Sequence, residues 1–310
     1  MGAFEPARAG LVPATSEHRA WPLTRLSWGS YPGPTPPKLL DEDQALLHIF
    51  DGFTTVRREP LEIEVKRREP LTTAAAVHPY LASAARVMAH WTGRSSYYGG
   101  TFVAAGGAWA LIGRQQTGKT SVLCELARQG CLVLSDDVTV LDGMQALVGP
   151  RLLAVRDASS ARGLGLLPKR DRAEDLRLAH AGPAPSSAPL RGWVFLSRGP
   201  QLALARLTAA ELLRRIGSWV SLSPGTPTLI LDWAALPAWS LVLPEVAISS
   251  RAGQCALQTA AATLLKAILD RGRLSTARVR PRPSRQDLTN IDRSKPPVLD
   301  GRPSRPTAGI

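Results

Sequence analysis

The segment from Gly113 to Thr120 combines glycines, a lysine and a threonine at a spacing that can hold phosphate. Its sequence, Gly-Arg-Gln-Gln-Thr-Gly-Lys-Thr, fits the pattern G-x-x-x-x-G-K-[ST] in full. Glycines let the backbone N–H groups wrap closely around a phosphate, and a helix that begins near Lys119 adds the positive end of its dipole. We expect Lys119 to reach the β- and γ-phosphates of a nucleoside triphosphate, and the Thr120 hydroxyl to ligate Mg²⁺. The other predicted binding residues are Arg114, Gln115, Gln116, Thr117, Gly118 and Ser121, and Arg114 either touches phosphate or faces solvent.

Two adjacent carboxylates, Asp136 and Asp137, follow the next apolar segment of the chain. Nucleotide hydrolases and kinases place a magnesium-binding carboxylate at the end of such a strand. One carboxylate can hold the metal or its water, while the other accepts a proton from an attacking hydroxyl. The alternative is that the pair only ends the strand and turns the chain.

The predicted elements around these residues form a strand, loop, helix and strand. Two strands, 102–105 and 108–112, are predicted to be joined by a turn at Gly106-Gly107. The phosphate loop follows the second strand, a helix is predicted over 119–129, and a buried strand over 131–134. A chance match to the loop pattern would not require this strand and helix, so the context favours a phosphate loop.

Periodicity elsewhere predicts a small α+β portion over 1–95, a main domain over 96–272 and a disordered basic tail over 273–310. In the first portion a helix is predicted over 39–50, a strand over 61–66 and a helix over 79–91. After the double Asp, the main domain is predicted to contain a hairpin over 138–148 and strands at 193–197, 228–232 and 240–243. Two helices are also predicted. Thr208 and Glu211 begin the first, and the second runs from Arg251 to Asp270 and ends at Gly272.

Charge and cysteine content narrow the class of protein. The tail from Arg271 to Ile310 has ten Lys or Arg and three Asp, so it carries +7 of the net charge of +13. Without interleaved aromatic residues this tail indicates a solvated end and not a nucleic-acid-binding surface. Three cysteines without C-x-x-C spacing exclude a disulfide framework or a zinc site. With no long apolar run and no secretion signal, the sequence predicts a cytoplasmic protein without a membrane span.

The order of loop, helix, strand and double Asp resembles the HPr serine kinase family. Arg162-Gly163-Leu164-Gly165-Leu166, which follows the double Asp, resembles the R-G-L-G-I signature of that family. The resemblance makes Arg162 and Gly163 candidates for a substrate-binding or structural role. The resemblance covers about 97–270. It implies a P-loop kinase domain of the α/β class, with a mixed twisted sheet like that of phosphoenolpyruvate carboxykinase. It also implies ATP and Mg²⁺ as cofactors and transfer of the γ-phosphoryl group to a serine hydroxyl.

The resemblance also assigns roles and partners. It implies that Lys119 and Thr120 hold phosphates and Mg²⁺, that Asp136 is the metal partner and that Asp137 is the general base, although the last two could exchange roles. Two positions depart from the family pattern, because Tyr98 replaces a His and Ser160 replaces a Glu. Related kinases act beside ribosomally made peptides such as lasso peptides. The implied acceptor is therefore an HPr-like protein or a ribosomal peptide precursor, and the family is typically homo-oligomeric. The alternative is a nucleotide-binding regulatory protein or an ATPase without an acceptor.

Overall fold

A computed structural model describes most of the chain between residues 24 and 276. The described residues are 24–31, 33, 34, 36–49, 52–68, 76–150, 152–155, 164–166, 177–180, 184–220 and 225–276. The first 270 residues cluster as one unit. The domain division predicted near residue 95 stays a prediction.

The N-terminal part is a five-stranded sheet covered by a helix. Its strands are β1 (Arg25–Ser30), β2 (Leu39–Leu40), β3 (Gln44–Ile49), β4 (Gly52–Arg57) and β5 (Glu62–Arg67), in the order β1-β5-β4-β3-β2. Only the pairing of β1 with β5 is parallel. A π-helical segment, Ala76–Leu81, leads into α1 (Ala82–Trp91), which buries Val87 and Met88 against Val56 and Val65 of the sheet.

The helix predicted over 39–50 is wrong, because this segment forms β2 and β3. The Asp41 carboxylate accepts hydrogen bonds from the backbone N–H groups of Asp43, at 2.9 Å, and Gln44, at 2.6 Å. These bonds close a tight turn and compete with helix formation. The strand predicted over 61–66 and the helix predicted over 79–91 are confirmed within a few residues.

The main sheet is mixed, with parallel strands at its centre. The strands after α1 are β6 (Ser95–Ala104), β7 (Gly107–Gly113), β8 (Leu132–Ser135), β9 (Val138–Asp142), β10 (Gln145–Leu147), β11 (Leu152–Val155), β12 (Gly165–Leu166), β13 (Arg177–His180), β14 (Ser187–Gly199), β15 (Ala203–Arg206) and β16 (Ala238–Pro244). The order is β10-β9-β6-β7-β14-β16-β15, and β8 pairs with β6. Strands β7, β14 and β16 are parallel to one another, whereas β11, β13 and β12 form a separate three-stranded sheet.

Helices cover both faces of the main sheet. They are α2 (Lys119–Arg128), α3 (Ala209–Trp219), α4 (Pro227–Ala234) and α5 (Arg251–Thr276). On one face Leu111 of β7 lies in a buried cluster with Leu123 of α2 and Leu264 of α5. On the other face Ile112 lies in a cluster with Trp193 of β14 and with residues of α3 and α4. All seven residues of β7 are buried, as expected for a central strand covered on both faces.

One predicted turn and one predicted strand of the main domain are corrected. The turn between β6 and β7 is Ala105-Gly106, both with positive φ, and not Gly106-Gly107. Gly107 lies inside β7, where a Cβ atom would collide with Pro189 and Arg191. The strand predicted over 228–232 is the helix α4, because Thr226 caps it by accepting a hydrogen bond from the Leu229 N–H at 3.3 Å. A short apolar run does not distinguish a strand from a buried helix.

The last helix is longer than predicted. It runs through Gly272 to Thr276, so the first four residues of the predicted tail are helical. The remaining tail, residues 277–310, lies outside the described residues. No helix within the described part of the chain is long and apolar enough to cross a membrane.

Candidate active site

Residues 113–120, the predicted phosphate loop, connect the end of a central strand to the start of a helix. Strand β7 ends at Gly113 and α2 begins at Lys119. A Cβ atom at Gly113 would lie 2.7 Å from the Leu196 carbonyl oxygen, so only glycine fits between the loop and β14. Gly118 has φ +100°, a conformation that favours glycine. The Thr117 hydroxyl donates to the Arg114 carbonyl oxygen at 2.8 Å and closes the loop from within.

The Lys119 side chain lies inside this loop. Its Nζ atom donates hydrogen bonds to the carbonyl oxygens of Gly113 and Arg114, each at 2.8 Å. The same atom lies 4.2 Å from the centroid of the Tyr98 ring, within the range of a cation–π interaction. Lys119 is only 6% exposed. The ammonium group is therefore held at the loop by two carbonyl dipoles and an aromatic face.

Burial makes this lysine easier to deprotonate. Desolvation lowers the pKa of Lys119 from 10.5 to about 8, although the nearby negative charge of Asp136 opposes the change. The cause is that a buried site disfavours the charged form of an amine. A phosphate ligand would add negative charge beside Nζ and would raise this pKa again.

Thr120 and Asp136 meet at the mouth of the loop. The Thr120 hydroxyl donates to Asp136 Oδ2 at 2.9 Å, and Asp136 Oδ1 accepts a hydrogen bond from the Asp137 N–H at 3.0 Å. Asp136 is 4% exposed. A hydroxyl and a carboxylate oxygen at this distance suit Mg²⁺, which usually keeps several waters and takes few protein ligands. The described residues contain no cluster of three or more His, Cys, Asp or Glu that could hold a metal by themselves.

Asp137 is held beside this pair by its backbone. Its φ is +70°, the left-handed conformation that Asp tolerates better than most residues. Its carbonyl oxygen accepts a hydrogen bond from the Gly99 N–H at 3.0 Å, which ties the double Asp to β6 next to Tyr98. Strand β6 pairs with both β7 and β8, so it links the loop to the carboxylates.

The remaining predicted site residues divide into two groups. Arg114, Gln115 and Gln116 are exposed, and Ser121 is partly buried at the start of α2. Arg162 and Gly163, predicted as substrate or structural residues, lie outside the described residues, as does Ser160. The catalytic and binding roles assigned from the sequence stay predictions.

Arg198 lies beside Gly118 of the loop, which the sequence analysis did not predict. Its Nη1 atom donates to the Pro244 carbonyl oxygen at 2.7 Å, and its Nη2 atom would lie 3.3 Å from a Cβ atom at Gly118. Burial lowers the pKa of the guanidinium and Glu245 opposes this. The parallel register pairs Leu196 with Gly113, which puts Arg198 two residues beyond the end of β7. No local sequence signal marks this position, because the strand pairing alone creates it.

Comparisons with known proteins leave the family open. No protein-family model matches the chain. No curated protein matches it either. Among solved structures, the HPr(Ser) kinase/phosphatase from Coxiella burnetii shows 9% sequence identity and a TM-score of 0.27, over 59% of this chain and 98% of that chain. A similarity of this size does not support a conclusion about fold or activity.

Proposed function

We propose that this chain is an ATP- and Mg²⁺-dependent kinase that transfers the γ-phosphoryl group to a serine hydroxyl of a protein or peptide. The observation that carries this proposal is the meeting of Thr120 Oγ1 and Asp136 Oδ2 at 2.9 Å, at the start of the helix that follows the phosphate loop. Loop, lysine, hydroxyl and carboxylate are the parts that phosphoryl transfer needs for positioning and charge stabilisation.

The roles of the residues follow from their chemistry. Mg²⁺, held by Thr120 and Asp136, would neutralise charge on the phosphates. Lys119 would leave the Gly113 and Arg114 carbonyl oxygens and bind the phosphate oxygens with its ammonium group. Asp137 would accept the proton of the serine hydroxyl as its oxygen bonds to the γ-phosphorus. The bond to the β–γ bridging oxygen breaks and ADP leaves with that oxygen.

The acceptor is proposed from the sequence resemblance. An HPr-like protein or a ribosomal peptide precursor would present the serine in the cytoplasm. A kinase domain over 96–272 with a phosphoenolpyruvate carboxykinase-like sheet, and a homo-oligomeric assembly, belong to the same proposal.

The test is transfer of labelled γ-phosphate from ATP with Mg²⁺ into HPr and into a small peptide encoded beside this gene. The intact chain is compared with Lys119→Ala and Asp137→Asn. We expect label in one acceptor with the intact chain, and loss of at least about a hundredfold in rate with Asp137→Asn. Nucleotide binding should survive in Asp137→Asn, because this substitution removes the base and keeps the loop.

The second candidate is a nucleotide-binding regulator or an ATPase without an acceptor. The position of Tyr98 favours it, because an aromatic ring packs on Lys119 Nζ where the resembling family has a His. A regulator would bind ATP and label no acceptor, and an ATPase would release free phosphate. Either result would reject the kinase.

A further inference from the structure

The double Asp is held in place by a segment that lies outside the phosphate loop. The Asp136 N–H donates a hydrogen bond to the Pro150 carbonyl oxygen at 3.2 Å. One residue earlier, the Gly149 N–H donates to the Leu134 carbonyl oxygen of β8 at 2.9 Å. The backbone of Asp136 is therefore fixed by the segment 149–150, which lies along the end of β8.

This segment continues into a strand that reaches the N-terminal part of the protein. Leu152, the first residue of β11, is buried in one cluster with Val65 of β5 and Val87 of α1. The next residue, Leu153, is buried in the cluster that contains Leu123 of α2. Strand β11 thus joins the core of the N-terminal part to the core of the main sheet. Leu152 anchors the segment that holds the double Asp.

A second contact with the N-terminal part lies directly after the double Asp. Val138, the first residue of β9, is buried in a small cluster with Ala82 and Ala89 of α1. The turn between β8 and β9 consists of Asp136 and Asp137 alone. Its backbone is therefore held from one side by the segment before Leu152 and is followed on the other side by a residue packed on α1.

The geometry of the carboxylates depends on such support. Asp137 has φ +70°, a conformation that persists in a residue other than glycine only when its surroundings impose it. Asp136 Oδ2 lies 2.9 Å from the Thr120 hydroxyl. Groups that bind a metal must be held within about 0.5 Å of their working positions. Removal of a residue that orients a metal ligand typically lowers metal affinity roughly tenfold to a hundredfold.

We propose that the N-terminal part of the chain positions the metal site, with Leu152 as the positioning residue. The inference rests on the Mg²⁺ ligands of the proposed function, Thr120 and Asp136, and adds what fixes the distance between them. Loss of the Leu152 side chain lets the segment 149–150 and Asp136 move away from Thr120, whereas Lys119 and the loop keep their places.

The test uses two substitutions in the full chain that remove the same number of carbon atoms from the same buried cluster. Leu152→Ala removes the anchor. Ile63→Ala is the matched control, because Ile63 lies in that cluster on β5, between β1 and β4. Leu152→Met keeps most of the side-chain volume and is the conservative variant. If an alanine variant does not fold, Leu152→Val and Ile63→Val make the same comparison with one methylene group removed.

The first measurement is hydrogen exchange of the Asp136 amide without any ligand. We expect exchange to be roughly tenfold faster in Leu152→Ala than in Ile63→Ala, because local opening of the segment 149–150 exposes this N–H. Leu152→Met should exchange at the rate of the intact chain. Urea unfolding of both alanine variants shows that their overall losses of stability are comparable.

The second measurement is ATP affinity by titration calorimetry, with Mg²⁺ and with EDTA. Mg²⁺ should tighten ATP binding in the intact chain and in Ile63→Ala. In Leu152→Ala this effect of Mg²⁺ should fall roughly tenfold, with little change of the affinity in EDTA. Equal exchange rates, or equal effects of Mg²⁺, in the two alanine variants overturn the positioning role even if ATP binds. If the intact chain binds no ATP, or if Mg²⁺ has no effect on its affinity, the proposed metal site fails and the inference fails with it.

Discussion

Replacing Lys119 with Met should stabilise the protein in the absence of ligand while removing the charge that we propose binds phosphate. The lysine is 6% exposed and burial lowers its pKa from 10.5 to about 8. Each pH unit of pKa change corresponds to about 1.4 kcal/mol, so the protonated amine destabilises the folded state by about 3 kcal/mol at neutral pH. Methionine is close in size and carries no charge. Two hydrogen bonds to carbonyl oxygens are lost, at about 0.5–1.5 kcal/mol each, so the net gain in unfolding free energy at pH 7 should be about 0–2 kcal/mol.

The pH dependence of the unfolding free energy separates the effect of the charge from the effect of these packing changes. The folded pKa of Lys119, about 8, lies below its unfolded value, 10.5. Between these values the unfolded chain binds more protons at this site than the folded chain, so stability of the intact protein rises with pH. Above the unfolded pKa the penalty is absent, and below the folded pKa it is fully present. The advantage of Lys119→Met should therefore shrink by about 3 kcal/mol between pH 7 and pH 10.5.

Urea unfolding of the intact chain and Lys119→Met at several pH values measures this difference. Lys266→Met, at an exposed position of α5, is the matched control and should show no comparable pH-dependent difference. Other titrating groups are common to the intact chain and each variant, so their contributions cancel in the comparison. A difference between the intact chain and Lys119→Met that stays constant with pH would refute the argument from burial. A loss of stability of several kcal/mol in Lys119→Met at pH 7 would refute it as well.

Three further predictions concern the metal site, the core and a helix cap. Thr120→Val should weaken Mg²⁺-dependent nucleotide binding by roughly tenfold or more in titration calorimetry, whereas Thr120→Ser should keep the affinity. An equal loss of affinity with and without Mg²⁺ would contradict a role of Thr120 in metal binding. Leu123→Ala should lower the unfolding free energy by about 3–5 kcal/mol in urea, because this side chain of α2 is fully buried in the cluster with Phe102 and Leu111 of the main sheet; a loss below about 1 kcal/mol would mean that the core is packed differently. Thr208→Ala should cost about 1 kcal/mol in the same assay, since its hydroxyl caps α3 together with Glu211; no loss would show that the cap is not formed.

Local patterns predicted the elements that carry the phosphate loop. The loop, its helix and the two flanking strands are each encoded in a short run of residues, so the sequence indicates their order. The meeting of Thr120 with Asp136 is consistent with that order, because β8 pairs with β6, the strand next to β7. The lengths of β6 and β14 exceed the predicted strands, since their ends are set by pairing with distant partners.

Elements that depend on distant contacts, or on turns and caps made by side-chain hydrogen bonds, were not predicted. The segment 39–50 has helix-compatible spacing, but the Asp41 turn and pairing with β4 make it a hairpin strand. The segment 227–234 has a strand-like apolar run, but Thr226 and Pro227 start a helix. Arg198 comes to the loop only through the register of β14 on β7, and its neighbours in sequence do not indicate this.

The placement of the loop on β7 bears on amide hydrogen exchange. This strand is paired on both sides, with β6 and β14, and is buried on both faces. Its amides should therefore exchange only when the whole sheet opens, whereas those of residues 114–117 should exchange by local opening. A phosphate ligand would slow exchange in the loop and would change β7 only by the amount that it adds to global stability. Strand β7 is therefore already ordered when the protein folds, and a ligand needs to immobilise only the loop.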